Sequence, residues 1–434
     1  MAQIGAQSNG GINRFFDVFI KAYLYYYTVF MILLTLDFIP DPLMSAVNLG
    51  SMAGGAVLVV YVLVTVRPYR SGQPLFIPFL LICAFFLCYV LTIVAQPYFF
   101  ENVKAMVTNG IQLMLLFFYF ASASPEKAKS LMRQIMVSLV VMTFAIAVAN
   151  LIIAIFDIQL RTDYPRYTGI YNNPNNASVS VLSIACSVYI FQFYRKYKWF
   201  LLVNIALQIA VNVLCESRGA LAMLAVTAYI YATVFLVEKA RSVKARRTIV
   251  LSSLAIAAVL VCLSVAYVLR LVNNLLAMDG TVIDYTDPFN KLGSSSVRLN
   301  LIRCGIGVFL QYPVFGVGPR NIILYVVNMY PTVYLYGIMK GGLHNAYLSL
   351  LVGHGVAGTA AFLAFAAAVL RRVFTAKSFH VWYNMAILAG IAVLALFEVN
   401  AFFVNFPTSF LFWSVLGYTV NIALQKKAAH PAAA

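Results

Sequence analysis

The chain has 434 residues, 63% of them hydrophobic and only 10% charged, with a formal net charge of +17. Soluble domains carry roughly a quarter of their residues as charges, so this balance excludes a soluble globular protein. The apolar runs also lack the period-2 alternation of a membrane β-barrel. They imply an all-α integral membrane protein, one polytopic domain over 1–434 with room for about 12 transmembrane helices.

In chain order, spans are expected near Phe15–Phe38, Leu43–Val66, Leu75–Ala95, Val103–Ala121, Met132–Phe156 and Asn176–Phe193. The rest are expected near Trp199–Leu214, Arg218–Val237, Thr248–Leu271, Asn345–Leu370, Trp382–Phe403 and Phe406–Leu424. The Ile4–Phe16 region lacks the layout of a cleaved signal, so the first span is expected to be retained. No internal repeat is visible, which disfavours transporters built from inverted repeats.

The excess positive charge does not mark a nucleic-acid binder. Arg14, Arg67, Arg70, Lys127, Lys129, Arg133, Arg195, Lys196, Lys198, the Lys239–Arg247 cluster, Arg371, Arg372, Lys377, Lys426 and Lys427 all fall on one side of the predicted spans. That is the positive-inside pattern; it makes these loops and both termini cytoplasmic and offers contacts to anionic membrane lipids. The opposite side holds the two longest connections, Asp157–Asn175 and a helical segment at 272–343, and long loops are often functional. Few ionisable residues fall inside the spans; Asp17 and Lys21 sit near one end, Arg270 and Glu398 near the other. The six cysteines form no CxxC pair and imply neither a disulfide framework nor a metal cluster. Cys215 and Cys304 are expected on one side, but nothing requires them to pair.

Three outer stretches could carry chemistry. "DIQLRTDYPRYTGIYNNPNNAS", Asp157–Ser178, reads as a hairpin between spans, with Asn175 or Asn176 able to cap the next helix. A hairpin does not account for Arg161 and Arg166 on the side where positive charge is scarce, and arginine suits phosphate. "CESRGALAML", Cys215–Leu224, puts Arg218 at the start of a span, where helix amides also favour an anion; an Arg218–Glu216 pair or a headgroup contact is the plainer reading. "SSSVRLNLIRCGIGVFLQYPVFGVGPRN", Ser294–Asn321, reads as a boundary helix carrying Arg298 and Arg303, ended by Pro313, followed by a turn at Gly316, Gly318 and Pro319.

"GGLHNAYLSLLVGHGVAG", Gly341–Gly358, sets His344 at the mouth of a predicted span. A lone histidine there is usually a structural hydrogen-bonder. A helix start, however, disfavours the imidazolium and keeps a neutral, proton-accepting form available. His354 is not a partner, because ten residues of helix put it ~15 Å deeper. Gly355 and Gly358 have small-xx-small spacing that suits close helix packing. The only paired carboxylates that could invite a divalent cation, Asp37 with Asp41 and Asp284 with Asp287, sit in loops without other ligands.

His344-Asn345, nine residues, then Gly355-x-x-Gly358 resembles the signature of the O-antigen ligase family, whose superfamily includes O-antigen polymerases and protein O-oligosaccharyltransferases. "SRGA" at Ser217–Ala220, "PVFGVGPRN" at Pro313–Asn321 and "RYTGIYNNPNNAS" at Arg166–Ser178 resemble its shared region. The resemblance implies a GT-C-like fold in a bacterial inner membrane and a periplasmic active site. It implies transfer of a glycan from undecaprenyl diphosphate to a hydroxyl of lipid A–core oligosaccharide, inverting and without a metal or other cofactor. His344 would be the base and Arg218, Arg166, Arg161, Arg298 and Arg303 the diphosphate-binding candidates, with Asn345, Gly355, Gly358, Asn175, Gly316 and Gly318 as supporting motif residues. A polymerase or protein oligosaccharyltransferase is the nearest alternative and a lipid-linked glycan transporter a distant one. A transporter would need charge along a path through the membrane centre.

Overall fold

The computed structural model describes residues 10–37, 39–94, 96–158, 167–194, 197–277, 293–330, 342–376, 378–399, 401–403 and 406–429. Its first seven helices are α1 (Gly10–Leu33), α2 (Asp41–Thr65), α3 (Phe76–Ile93), α4 (Phe99–Ser122), α5 (Pro125–Ile155), α6 (Ser178–Tyr194) and α7 (Lys198–Cys215). The second seven are α8 (Arg218–Lys239), α9 (Val243–Ala277), α10 (Gly293–Gln311), α11 (Ile322–Met329), α12 (Ala346–Phe374), α13 (Phe379–Leu394) and α14 (Pro407–Ala429). Among the described residues there is no strand, only an isolated bridge between Leu36 and Tyr171.

Helices follow from the solvent. In lipid each backbone amide and carbonyl must be satisfied within its own segment, so long apolar runs fold as helices. Ten of these, α1–α9 and α12, are long and apolar enough to cross a membrane. This makes the chain an all-α, multi-pass membrane protein, with spans where composition put the first ten.

Several expected boundaries move; the fifth span, for instance, starts at Pro125 rather than near Met132. The ninth helix runs on to Ala277, six residues into the segment expected to start at 272. The eleventh expected span, now α13, ends at Leu394 rather than near Phe403, and 395–399 leave the helix. The carbonyls of Ala395 and Leu396 point instead at the start of α12, accepting from Ala346 N at 2.8 Å and Asn345 Nδ2 at 3.2 Å. Glu398 therefore stands in an irregular turn, outside any helix.

The main core is built where α13 packs on α8, α12 on α3 and α6 on α7. Phe85, Phe117, Phe365 and Trp413 are among its fully buried side chains. A buried polar seam joins α5, α6 and α7. Thr143 donates to Ser183 at 2.6 Å, Asn204 donates to Ser183 and Ser187 at 3.0 and 2.9 Å, and Gln208 donates to the Thr143 carbonyl at 2.9 Å. Between membrane helices each such bond contributes about 0.6 kcal/mol, enough to fix register. α9 lies at the periphery, chiefly against α8, where Tyr229 donates to the Ser253 carbonyl.

A second, smaller core lies at the loop-rich end. Leu301, Cys304, Val308, Ile322, Val326, Leu343 and Val352 bring α10, α11 and the first turns of α12 together. This unit is moored to α3, α4 and the connection between them by three bonds: Thr92 Oγ1 to the Phe315 carbonyl (2.6 Å), Arg320 N to Asn102 Oδ1 (3.1 Å) and Tyr325 Oη to Gln96 Oε1 (2.5 Å). The site lies on the seam between the two cores.

Candidate functional site

α12 is two helices in series. Gly355 has φ +60° and ψ −169°, a conformation essentially reserved for glycine, and it interrupts the helix. Had the helix continued, Val356 N would bond to the Val352 carbonyl and Ala357 N to that of Gly353. Residues 313–318 take over all four groups. Val356 N donates to Pro313 O (2.8 Å), Ala357 N to Val314 O (3.0 Å), Val317 N to Val352 O (3.0 Å) and Gly318 N to Gly353 O (2.9 Å).

The loop after α10 is thus wedged into the backbone ladder of α12, which is how an irregular segment satisfies its polar groups in an apolar surrounding. Contact is so close that a Cβ on Gly316 would sit 2.5 Å from the Val352 carbonyl, and one on Gly355 2.3 Å from that of Val314. Gly355 is therefore a breakpoint and not the helix-packing notch its spacing suggests. Gly358 faces the Cβ atoms of His354 and Cys88, and Gly318 has φ +84° beside Asn102 and Asn321. His354 is a core residue, its ring 4.7 Å from that of Phe85 and 4.6 Å from that of Tyr89.

The break leaves an outer half-helix, 346–354, that carries the site. Asn345 is its N-cap, accepting from Leu348 N at 2.9 Å while its amide donates to Leu396 O. Immediately before it, Gly342 (φ +62°) and His344 (φ +47°) turn the chain sharply. A left-handed histidine costs about 1 kcal/mol, and such strain is typical of functional positions. The turn aims the largely buried imidazole at Glu398, with Nδ1 3.6 Å from Oε2. That is too long for a hydrogen bond, and among the described residues Nδ1 has no partner. The other carboxylate oxygen, Oε1, lies 3.3 Å from Nη2 of Arg298 on α10.

The first turn of α8 approaches the same turn. Ser217 caps α8, accepting from Ala220 N at 3.4 Å, so Arg218 opens the helix as expected and its side chain is exposed. A Cβ on Gly219 would lie 3.1 Å from Phe397, which packs Arg218's neighbour against the residue before Glu398. The seam so assembles His344, Arg298 and Glu398, with the Arg218 turn alongside. Arg303 is not brought in; five residues past Arg298 it projects ~140° around α10 and is exposed. Arg161 and Arg166 lie outside the described residues, as do Asp284 and Asp287. Among the described residues no three His, Cys, Asp or Glu side chains cluster as a cation site.

The asparagine-rich stretch is a clamp. Asn173 caps the short 3₁₀ turn, Pro174–Ala177, that leads into α6, accepting from Asn175 N at 2.9 Å. Asn172 and Asn176 donate to the Leu34 and Thr35 carbonyls. Gly169 (φ +54°) lies directly over Asn150, and Tyr167 donates to the Asn150 carbonyl. Cys215 and Cys304 are not joined in a disulfide.

Glu398 is the residue that sequence reasoning passed over. In "LFEVNAFF" it reads as a charge near a span end. A lone acid in an apolar run was the available signal, because such residues are retained in membranes chiefly for function.

Fold and site together define a polytopic helical membrane protein with a histidine, arginines and a carboxylate gathered at one end of its bundle. Residues 203–363, from α7 past the break in α12, match the family model of O-antigen ligases, and over that stretch the chain is O-antigen-ligase-like. The match contains Arg218, Arg298, Arg303, His344 and both motif glycines of α12; Glu398 lies beyond it. Among curated proteins none matches the chain.

Proposed function

We propose that the protein is an O-antigen ligase of the bacterial inner membrane, working on the periplasmic face with both termini in the cytoplasm. Its donor is an undecaprenyl-diphosphate-linked glycan and its acceptor a hydroxyl of lipid A–core oligosaccharide. The observation carrying this reading is the meeting of His344 and Arg298 beside the Arg218 turn, within the stretch that matches the O-antigen ligase model.

In this mechanism the acceptor oxygen attacks the anomeric carbon of the donor sugar. The new glycosidic C–O bond forms as the bond to the diphosphate breaks, with inversion. The bonding pair leaves with the diphosphate, where guanidinium groups of Arg298 and Arg218 offset its charge. The hydroxyl proton passes to the imidazole of His344. Arg161 and Arg166 are further candidates for the diphosphate; Arg303, turned away on α10, has the weakest claim. None of these steps calls on a cofactor.

The test is a transfer assay with purified protein, donor and lipid A–core in EDTA, wild type beside His344→Ala and Arg218→Ala. Loss of His344 should slow transfer about 10²–10⁴-fold. Full activity in His344→Ala would remove the base. Longer carrier-linked chains with lipid A–core untouched would make the protein a polymerase, and glycan on added protein acceptors an oligosaccharyltransferase.

A further inference from the structure

One carboxylate faces two partners across the seam. Oε1 of Glu398 is held by Arg298 at 3.3 Å, while Oε2 stops 3.6 Å short of the His344 Nδ1. Both carboxylate and imidazole are nearly buried, with side-chain exposures of 11% and 14%, against 30% for Arg298. The arginine therefore has the freer path to an incoming anion. Each partner also belongs to a different body: Arg298 to the smaller core's α10, Glu398 to the turn after α13, and His344 to the left-handed turn joining the two.

A guanidinium binds a diphosphate better than a single carboxylate, because the diphosphate carries more charge and more acceptor oxygens. An imidazole serves as a base through one nitrogen when the other donates to a carboxylate, which fixes tautomer and ring orientation. With Nδ1 unpartnered, neither is fixed.

We infer that Glu398 is an exchange residue. With the site empty it holds Arg298; when a diphosphate draws Arg298 away, the freed carboxylate accepts from His344 Nδ1–H and orients Nε2 toward the acceptor hydroxyl. The inference rests on the transferase reading for its trigger but not for the exchange itself. Glu398 is on this account a positioning residue that ties activation of the base to occupancy of the donor site, which guards against futile chemistry before the donor is bound.

The experiment is ¹⁵N-histidine NMR of the full-length protein in nanodiscs, with the His344 signal assigned by its loss in His344→Ala. Without ligand, Arg298→Ala should give the shift of an Nδ1–H bonded to a carboxylate, absent from the wild type. An unchanged signal would overturn the exchange. Undecaprenyl diphosphate added to wild type should produce the same shift, and Glu398→Gln should abolish it. A response to Arg298→Ala but none to the carrier would overturn the trigger, whereas the transferase reading stands or falls on the transfer assay. Binding supplies a second readout. Glu398→Gln should tighten undecaprenyl diphosphate about 5–10-fold in an otherwise wild-type protein and leave it unchanged beside Arg298→Ala. Equal tightening in both backgrounds would mean that Glu398 acts only by general repulsion, and would overturn the proposal.

Discussion

Replacing Gly355 by alanine tests the wedge that sets the site. The native φ of +60° with ψ −169° is open to glycine almost alone, and an L side chain there costs ~1–3 kcal/mol. The new Cβ would also meet backbone on three sides: Val314 O at 2.3 Å, Val314 C at 2.5 Å and Gly316 N at 2.6 Å. Backbone cannot rotate away as a side chain can. Relief requires the loop to withdraw, giving up the bonds from Val356 N and Ala357 N, at about 1 kcal/mol each. The sum is ~3–5 kcal/mol, a fall in melting midpoint on the order of 3–6 °C in detergent. Gly72→Ala is the control: its φ of +85° is just as unusual, but its Cβ would meet nothing within 4 Å, so only about 1 kcal/mol is expected. If Gly355→Ala and Gly72→Ala melt together, the loop does not hold the break and the account of the motif fails.

Three further outcomes follow from the same geometry. Gly169→Ala should destabilise by about 2 kcal/mol or more, since its Cβ would lie 1.7 Å from Asn150 Oδ1, and pairing it with Asn150→Ala should recover part of the loss. A single variant as stable as wild type would remove the clamp. Asn345→Ala should cost about 1 kcal/mol through loss of the α12 cap. Asn345→Asp keeps the acceptor for Leu348 N but not the donor to Leu396, so it should stay nearer wild type in melting while losing transfer activity. Burial pushes the Cys304 thiol up despite neighbouring Arg303, so less thiolate is present at any pH near neutral. Maleimide should therefore label it more slowly in folded than in unfolded protein, with the rate rising as the pH is raised.

Much of the architecture was legible in composition because lipid is a demanding solvent. A chain with 63% hydrophobic residues in runs of about twenty has few folds open to it, and the first ten spans followed. The His344 and Arg218 positions were legible too, since a glycine pair, an N-cap and an arginine at a helix start are local signals. The sequence pattern misread Gly355 because small-xx-small spacing is identical for a helix contact and a helix break. Only the partner segment, forty residues upstream at 313–318, distinguishes them. That Asn173 caps the 3₁₀ turn before α6 likewise depends on which backbone amide its side chain meets.

The sequence by itself determined that this is a helical membrane protein with its polar chemistry gathered at one end, since burial in lipid and helix capping act over a few neighbouring residues. Tertiary structure alone decided that Glu398 stands between Arg298 and His344, residues 100 and 54 positions away along the chain. Such a meeting depends on where α13 stops and how the smaller core docks, which is set by long-range backbone pairing that no local pattern encodes.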